Sequence, residues 1–144
     1  MKQINKHRQI IYKKLKNYDE AYIQWKKACD VCPPTAREGM YSDGVRFLKN
    51  ELKKTEDEAR TQALQDSIFL LYDQRMELFP STSKKPNNQC RILAFKATDY
   101  YRLFKKEGAA GANAMFKESI DCLGAASSPA TLSTYYVTSF YAMK

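Results

Sequence analysis

A chain of 144 residues with 44% apolar and 12% aromatic side chains is the size of one domain and can build a core, which excludes a wholly disordered segment. Five Gly and 5 Pro exclude collagen-like and low-complexity classes. Against 16 Asp and Glu stand 24 Lys and Arg, a formal charge of +8 that points to an anionic partner, while a mean hydropathy of −0.61 and the lack of any apolar run near ~20 residues exclude a membrane-spanning helix.

Apolar residues recur at spacings of three and four along nearly the whole chain, and no alternating run reads as a strand, so the expected class is all-α. About seven antiparallel helices are predicted, over 3–15, 18–32, 37–54, 56–79, 88–106, 111–123 and 129–143. The first carries Ile4, Ile11 and Leu15 among the basic residues Lys2, Lys6, Arg8, Lys13, Lys14 and Lys16, with no acidic residue and no apolar stretch that would read as a secretory leader. Such a basic run is read first as a solvated helix face. Pro33-Pro34 ends the second helix. In the third, Tyr41, Gly44, Val45, Leu48 and Leu52 make one stripe. Glu56-Asp57-Glu58 stands where it would cap the fourth and oppose its dipole, and Leu64, Ile68, Leu71, Tyr72, Met76 and Phe79 form that helix's stripe. The segment from Pro80 to Asn88 is the longest loop by composition, and Leu93, Ala97, Tyr100, Tyr101 and Phe104 follow as the stripe of the fifth helix. Small-residue turns at Gly108–Gly111 and Gly124–Pro129 bound the sixth. The last stretch, from Pro129 to Met143, has no charged residue at all.

Catalytic chemistry has little to stand on. His7 is the single histidine and sits in the basic first segment, so no Ser-His-Asp or Cys-His arrangement forms without it, and no Gly-rich loop has the Gly-Lys-Ser/Thr of a phosphate cradle. Cys29 and Cys32 form a Cys-x-x-Cys, but at a helix C-terminus, where the dipole disfavours thiolate. Cys90 and Cys122 are isolated, and a zinc site would need four ligands. The four cysteines are read as ordinary thiols, with a disulfide as the alternative. No cofactor or metal is expected, and the protein is expected not to be an enzyme.

Read as hairpins over about 2–34, 37–80 and 88–124, with an unpaired last helix at 129–143, the second helices share a pattern. Tyr18, Ala21, Trp25, Ala28 and Pro33 in the first align with Ile68, Tyr72, Arg75 and Pro80 in the second and with Ala112, Phe116, Ser119 and Gly124 in the third. Small residues let helices approach, the aromatic fills the gap to the next hairpin, and Pro or Gly stops the helix. Trp25, Tyr72 and Phe116 fall roughly 45 residues apart, a period that signals a helical solenoid.

This pattern resembles the tetratricopeptide repeat (TPR). Tyr12, Tyr18, Ala21, Trp25, Ala28 and Pro33 stand at that family's relative positions. Ile68 and Arg75 replace its alanines, and the period exceeds the family's ~34 residues, so the repeats are longer than consensus or an insertion lies at 53–58. The resemblance implies a right-handed α–α superhelix forming a single repeat domain over 1–144. Wording such as Asn17-Tyr18-Asp19-Glu20-Ala21-Tyr22, Trp25-Lys26-Lys27-Ala28, Tyr41-x-Asp43-Gly44 and Ser128-Pro129-Ala130-Thr131-Leu132 is similar to tetratricopeptide-type proteins of Bacteroidetes. That likeness implies a cell-envelope or periplasmic setting after removal of an export signal, with the chain the N-terminal part of a longer repeat protein. The uncharged last helix agrees, because a terminal repeat needs a polar outer face. It is expected to meet further repeats or a second copy in a homodimer.

The function expected on this basis is a non-catalytic scaffold that takes a peptide or protein, acidic in character, on the concave face lined by the first helix of each hairpin. Candidate contacts are Lys6, Lys13, Arg46, Lys49, Asn50, Lys53, Arg91 and Arg102, whose cationic groups would clamp carboxylates. Tyr100 and Tyr101 are read as core, with an aromatic wall of the groove as the alternative. The second functional reading is a binder of nucleic acid or another anionic surface through the basic first helix and groove, less favoured because no RRM or zinc-finger signature accompanies the charge.

Overall fold

The computed structural model describes residues 18–31 and 37–143. Among these residues every regular element is helical: α1 (Tyr18–Val31), α2 (Glu38–Lys54), α3 (Glu58–Leu78), α4 (Asn88–Phe104), α5 (Ala109–Leu123) and α6 (Pro129–Ala142), with 3₁₀ turns at Lys105–Gly108 and Gly124–Ala126. The boundaries fall within a few residues of the predicted spans. The predicted helix over 3–15, and with it Lys6, Tyr12 and Lys13, lies outside the described residues, as does Pro33. The chain divides into two compact units, Met1–Gln74 and Arg75–Lys144, and the boundary falls inside α3.

In the first unit, α1 and α2 pack antiparallel: Asp19 at the start of α1 meets Lys54 at the end of α2, and Trp25 meets Met40 near the other end. Ala21, Trp25 and Ala28 are buried with Met40 and Phe47 in one cluster, and Tyr22 and Leu71 pack on its edge. The Trp25 indole Nε1 donates to the Met40 carbonyl at 2.8 Å, so the ring is buried with its one polar atom satisfied. Gly44 is needed here, because a Cβ at that position would press into the Trp25 ring and come 2.9 Å from Leu71 Cδ1. Phe47, fully buried and edge-on to Trp25 at 6.3 Å, belongs to the same core, although the predicted stripe runs through Tyr41, Val45 and Leu48. On α3, Leu64, Ile68 and Tyr72 are buried. Asp57 caps this helix, accepting from the Arg60 backbone N–H at 2.9 Å.

In the second unit, α4, α5 and α6 pack in series, each antiparallel to the one before. Cys90 near the start of α4 lies against Ser119 and Cys122 near the end of α5, and Asn113 near the start of α5 lies against residues 135–139 late in α6. Ala97, Ala112 and Phe116 form the core, with Tyr100, Tyr101, Met115 and Tyr135 packed around it. The predicted turn at Gly108–Gly111 is instead the end of the 3₁₀ turn and the start of α5, and its residues are small because the Tyr100 ring lies over them: a Cβ at Gly111 would meet that ring at 3.0 Å. The Asn88 side chain donates to the Phe79 carbonyl at 2.9 Å and Gln89 N–H to the Pro80 carbonyl, closing the 79–88 loop.

Two expectations are corrected. Cys90 and Cys122 are joined in a disulfide, not ordinary thiols, because antiparallel pairing of α4 and α5 brings together cysteines 32 residues apart. And α4 is buried on two opposite sides: Ala97, with Tyr100 and Tyr101 beside it, packs in the core as the predicted stripe has it, while Ile92 and Asp99 are buried across the helix, a second face the stripe does not include.

Candidate interaction surfaces

The buried face of α2 carries Met40, Tyr41, Gly44, Val45, Phe47 and Leu48. Opposite it, at helical spacings of three and four, stand Arg46, Lys49, Asn50 and Lys53. Arg46 and Lys53 are exposed, and Lys49 and Asn50 are half-buried. The structure thus gathers these four predicted contact residues on one side of one helix. Arg91 and Arg102 share the exposed side of α4, three turns apart. Of the predicted repeat-packing residues, Ala21, Trp25, Ala28, Tyr72 and Phe116 are all buried.

Sequence reasoning missed two residues beside the α4 arginines. Phe95, one turn from Arg91 on the same side, is 51% exposed, and the Arg75 guanidinium lies 5.8 Å from its ring centroid. The available signal was the i, i+4 spacing of Arg91 and Phe95 and the place of Arg75 near the end of its helix. Tyr100 and Tyr101 are half-buried against the Phe116 cluster, as core packing requires.

Grooves open among the described residues of the first unit. One, of about 550 Å³, is lined by Asp19, Tyr22, Ile23, Lys26, Glu51 and Lys54, between α1 and the end of α2. At its edge the Lys54 ammonium donates to Asp19 and, at 3.4 Å, to Glu51. The hydrogen bond to Asp19, aided by both carboxylate charges, raises the Lys54 pKa above its ordinary value of 10.5. The second groove, about 320 Å³, is walled by Trp25, Leu48, Leu64 and Leu71, with Lys26 and Arg60 at its polar side. In the second unit Lys117 pairs with Asp121 at 2.8 Å on the surface of α5, which raises its pKa by the same kind of contact.

The apolar helix α6 is turned unexpectedly. Its buried side carries Thr131 and Thr138, and the Asn113 side chain donates to the Tyr135 carbonyl and to the Thr138 and Ser139 hydroxyls at 2.7–3.3 Å. Leu132, Tyr136, Val137, Phe140 and Met143 face outward, with Tyr136 77% and Met143 88% exposed. Among the described residues, no three His, Cys, Asp or Glu side chains come together as metal ligands, and no helix is long and apolar enough to cross a membrane. Comparison with known proteins finds no family model, no curated protein and no solved structure that matches the chain.

Proposed function

We propose that the chain is a non-catalytic protein-interaction module of the tetratricopeptide type, built as an α–α superhelix with repeats longer than consensus, which takes an acidic segment of a partner protein. The observation that carries this reading is the outward side of α4, where Arg91 and Arg102 bracket the exposed Phe95 with Arg75 against its ring. Arginine forks suit carboxylates, and an exposed aromatic between them offers an apolar anchor. Eleven residues of helix span about 16 Å, the reach of roughly five extended residues, so the fitting ligand has two carboxylates about that far apart around an apolar side chain. The basic stripe of Arg46, Lys49, Asn50 and Lys53 on α2 supplies a second cationic row on the first helix of another expected hairpin. The Cys90–Cys122 disulfide supports the cell-envelope setting implied by the resemblance, since such bonds persist in oxidising compartments.

The test is fluorescence anisotropy with a labelled peptide carrying two glutamates five residues apart around a leucine, against a glutamine version and against duplex DNA. Binding to the acidic peptide, weakened at least tenfold by Arg91→Glu with Arg102→Glu, is the expected result. Equal binding of the glutamine version, or tighter binding of the duplex with a steep salt dependence, overturns it in favour of a general apolar or polyanion surface.

A further inference from the structure

A helix on the surface of a protein ordinarily buries its apolar side, and α6 does the reverse. Thr131 and Thr138 face inward; Thr131 is bonded to the Ser128 cap and Thr138 to Asn113, so hydrogen bonds made to the polar side help to set the rotation of the helix. The large apolar residues are left outward at Leu132, Tyr136, Phe140 and Met143, positions that fall on one stripe. Turning the helix to bury them would strand the Asn113 amide and pull Tyr135 off the Phe116 cluster. The fold therefore holds this apolar face in water by construction, and such faces mark interaction sites.

We infer that the outward face of α6 is the interface of a homodimer in which two copies of the helix pack antiparallel about a two-fold axis. Three features point to a second copy as the occupant. The stripe is nearly symmetric end to end: Leu132 and Met143 lie at its ends and Tyr136 and Phe140 flank its middle, so a reversed copy lays Leu132 against Met143 and Tyr136 against Phe140, the self-complementarity that a two-fold contact demands. Charge supplies the second feature. A chain of formal charge +8 repels its own copies, and residues 129–143 are the stretch over which they can meet without opposing like charges. Area is the third. The exposed parts of these side chains amount to about 500 Å², and twice that across a two-fold axis reaches about 1,000 Å², the lower bound for a specific interface. An association of that size is weak, with a Kd of about micromolar order.

The experiment is sedimentation velocity of the whole chain over a wide concentration range, with Tyr136→Asp and Phe140→Asp, singly and together. The expected result is a monomer–dimer equilibrium whose Kd rises at least tenfold in each single variant, with helical content and melting unchanged because both positions are exposed. Tyr136→Ser serves as a milder variant should an aspartate disturb the helix. Direction is read with a benzoylphenylalanine photo-crosslinker at position 136 in a mixture of light and heavy isotope-labelled copies. The light–heavy crosslink is expected between peptides that both contain residues 129–143. A chain that stays monomeric at every concentration overturns the inference. So does a dimer that ignores both aspartates, or one whose crosslinks lead to another helix.

Discussion

Helices α2 and α6 are of similar length and both lie at the surface, but they use opposite logic. In α2 the apolar side is inward and cations are outward, so hydrophobic burial alone sets its rotation. In α6 hydroxyls, an amide and Tyr135 take the inside, and Leu132, Tyr136, Phe140 and Met143 take the outside. The contrast teaches that burial on α2 serves the fold, whereas exposure on α6 serves something the fold itself does not need.

The sharpest way to break that comparison is to truncate one phenylalanine on each helix. Phe47 on α2 is fully buried against Trp25, and Phe140 on α6 is 52% exposed. Phe47→Ala should cost about 3–5 kcal/mol in chemical denaturation. Phe140→Ala should leave the monomer within about 0.5 kcal/mol of the parent. Equal costs would mean that α6 is buried much as α2 is, and the contrast would be gone.

The next effect separates the two units. The Cys90–Cys122 bond ties α4 to α5 across 32 residues of sequence, and restricting the unfolded chain over such a loop is worth about 2–4 kcal/mol. Thermal melting of Cys122→Ser, or of the parent with reductant, should show a loss of that order, seen in hydrogen exchange at α4 and α5 and much less at α1 and α2. Loss of protection spread evenly over α1 to α5 would mean that the two units unfold as one.

Asn113 tests what holds α6 in its orientation. Its amide donates to Tyr135 O, Thr138 Oγ1 and Ser139 Oγ, but both hydroxyls also donate to the Tyr135 carbonyl, so they are not left without partners when it is removed. Asn113→Ala should therefore cost about 1–2 kcal/mol, read by chemical denaturation, and increase the exposure of Tyr135 to chemical modification. An unchanged protein would mean that packing of Tyr135 on the Phe116 cluster orients the helix by itself.

These contrasts bear on what was legible in the sequence. Helix spans could be read because Pro80, Gly108 and Pro129 punctuate apolar spacings of three and four, and the small and aromatic positions Ala21, Trp25, Ala28, Ile68, Tyr72, Ala112 and Phe116 could be picked out as packing positions by their repetition. The side of α2 that carries Arg46, Asn50 and Lys53 follows from the same periodicity. Three things were hidden. A helix buried on two sides, as α4 is, shows the stripe through Ala97 and Tyr100 but not the second buried face at Ile92. The disulfide depends on which helices pair and in what register, which spacing along the chain does not carry. The orientation of α6 depends on Asn113 reaching across from another helix, and the composition of residues 129–143 argues for the opposite orientation.

The smallest expected effect concerns the end of α2, where Lys54 pairs with Asp19 and Glu51. A raised lysine pKa in the folded chain means that folding favours the protonated form. Its contribution is therefore complete below the ordinary value of 10.5 and lost only as pH rises through the folded value. With Lys54 and Asp19 both exposed, solvent screening leaves little of the pair's attraction. Lys54→Met should thus melt with the parent near neutral pH and show the same pH dependence up to about pH 9. Any small gap should close in strongly alkaline buffer, as the parent's ammonium is lost. A shift of several degrees at neutral pH would mean that charge, and not the Trp25–Phe47 cluster, fastens α2 to α1, and the contrast with α6 would then have to be redrawn in electrostatic terms.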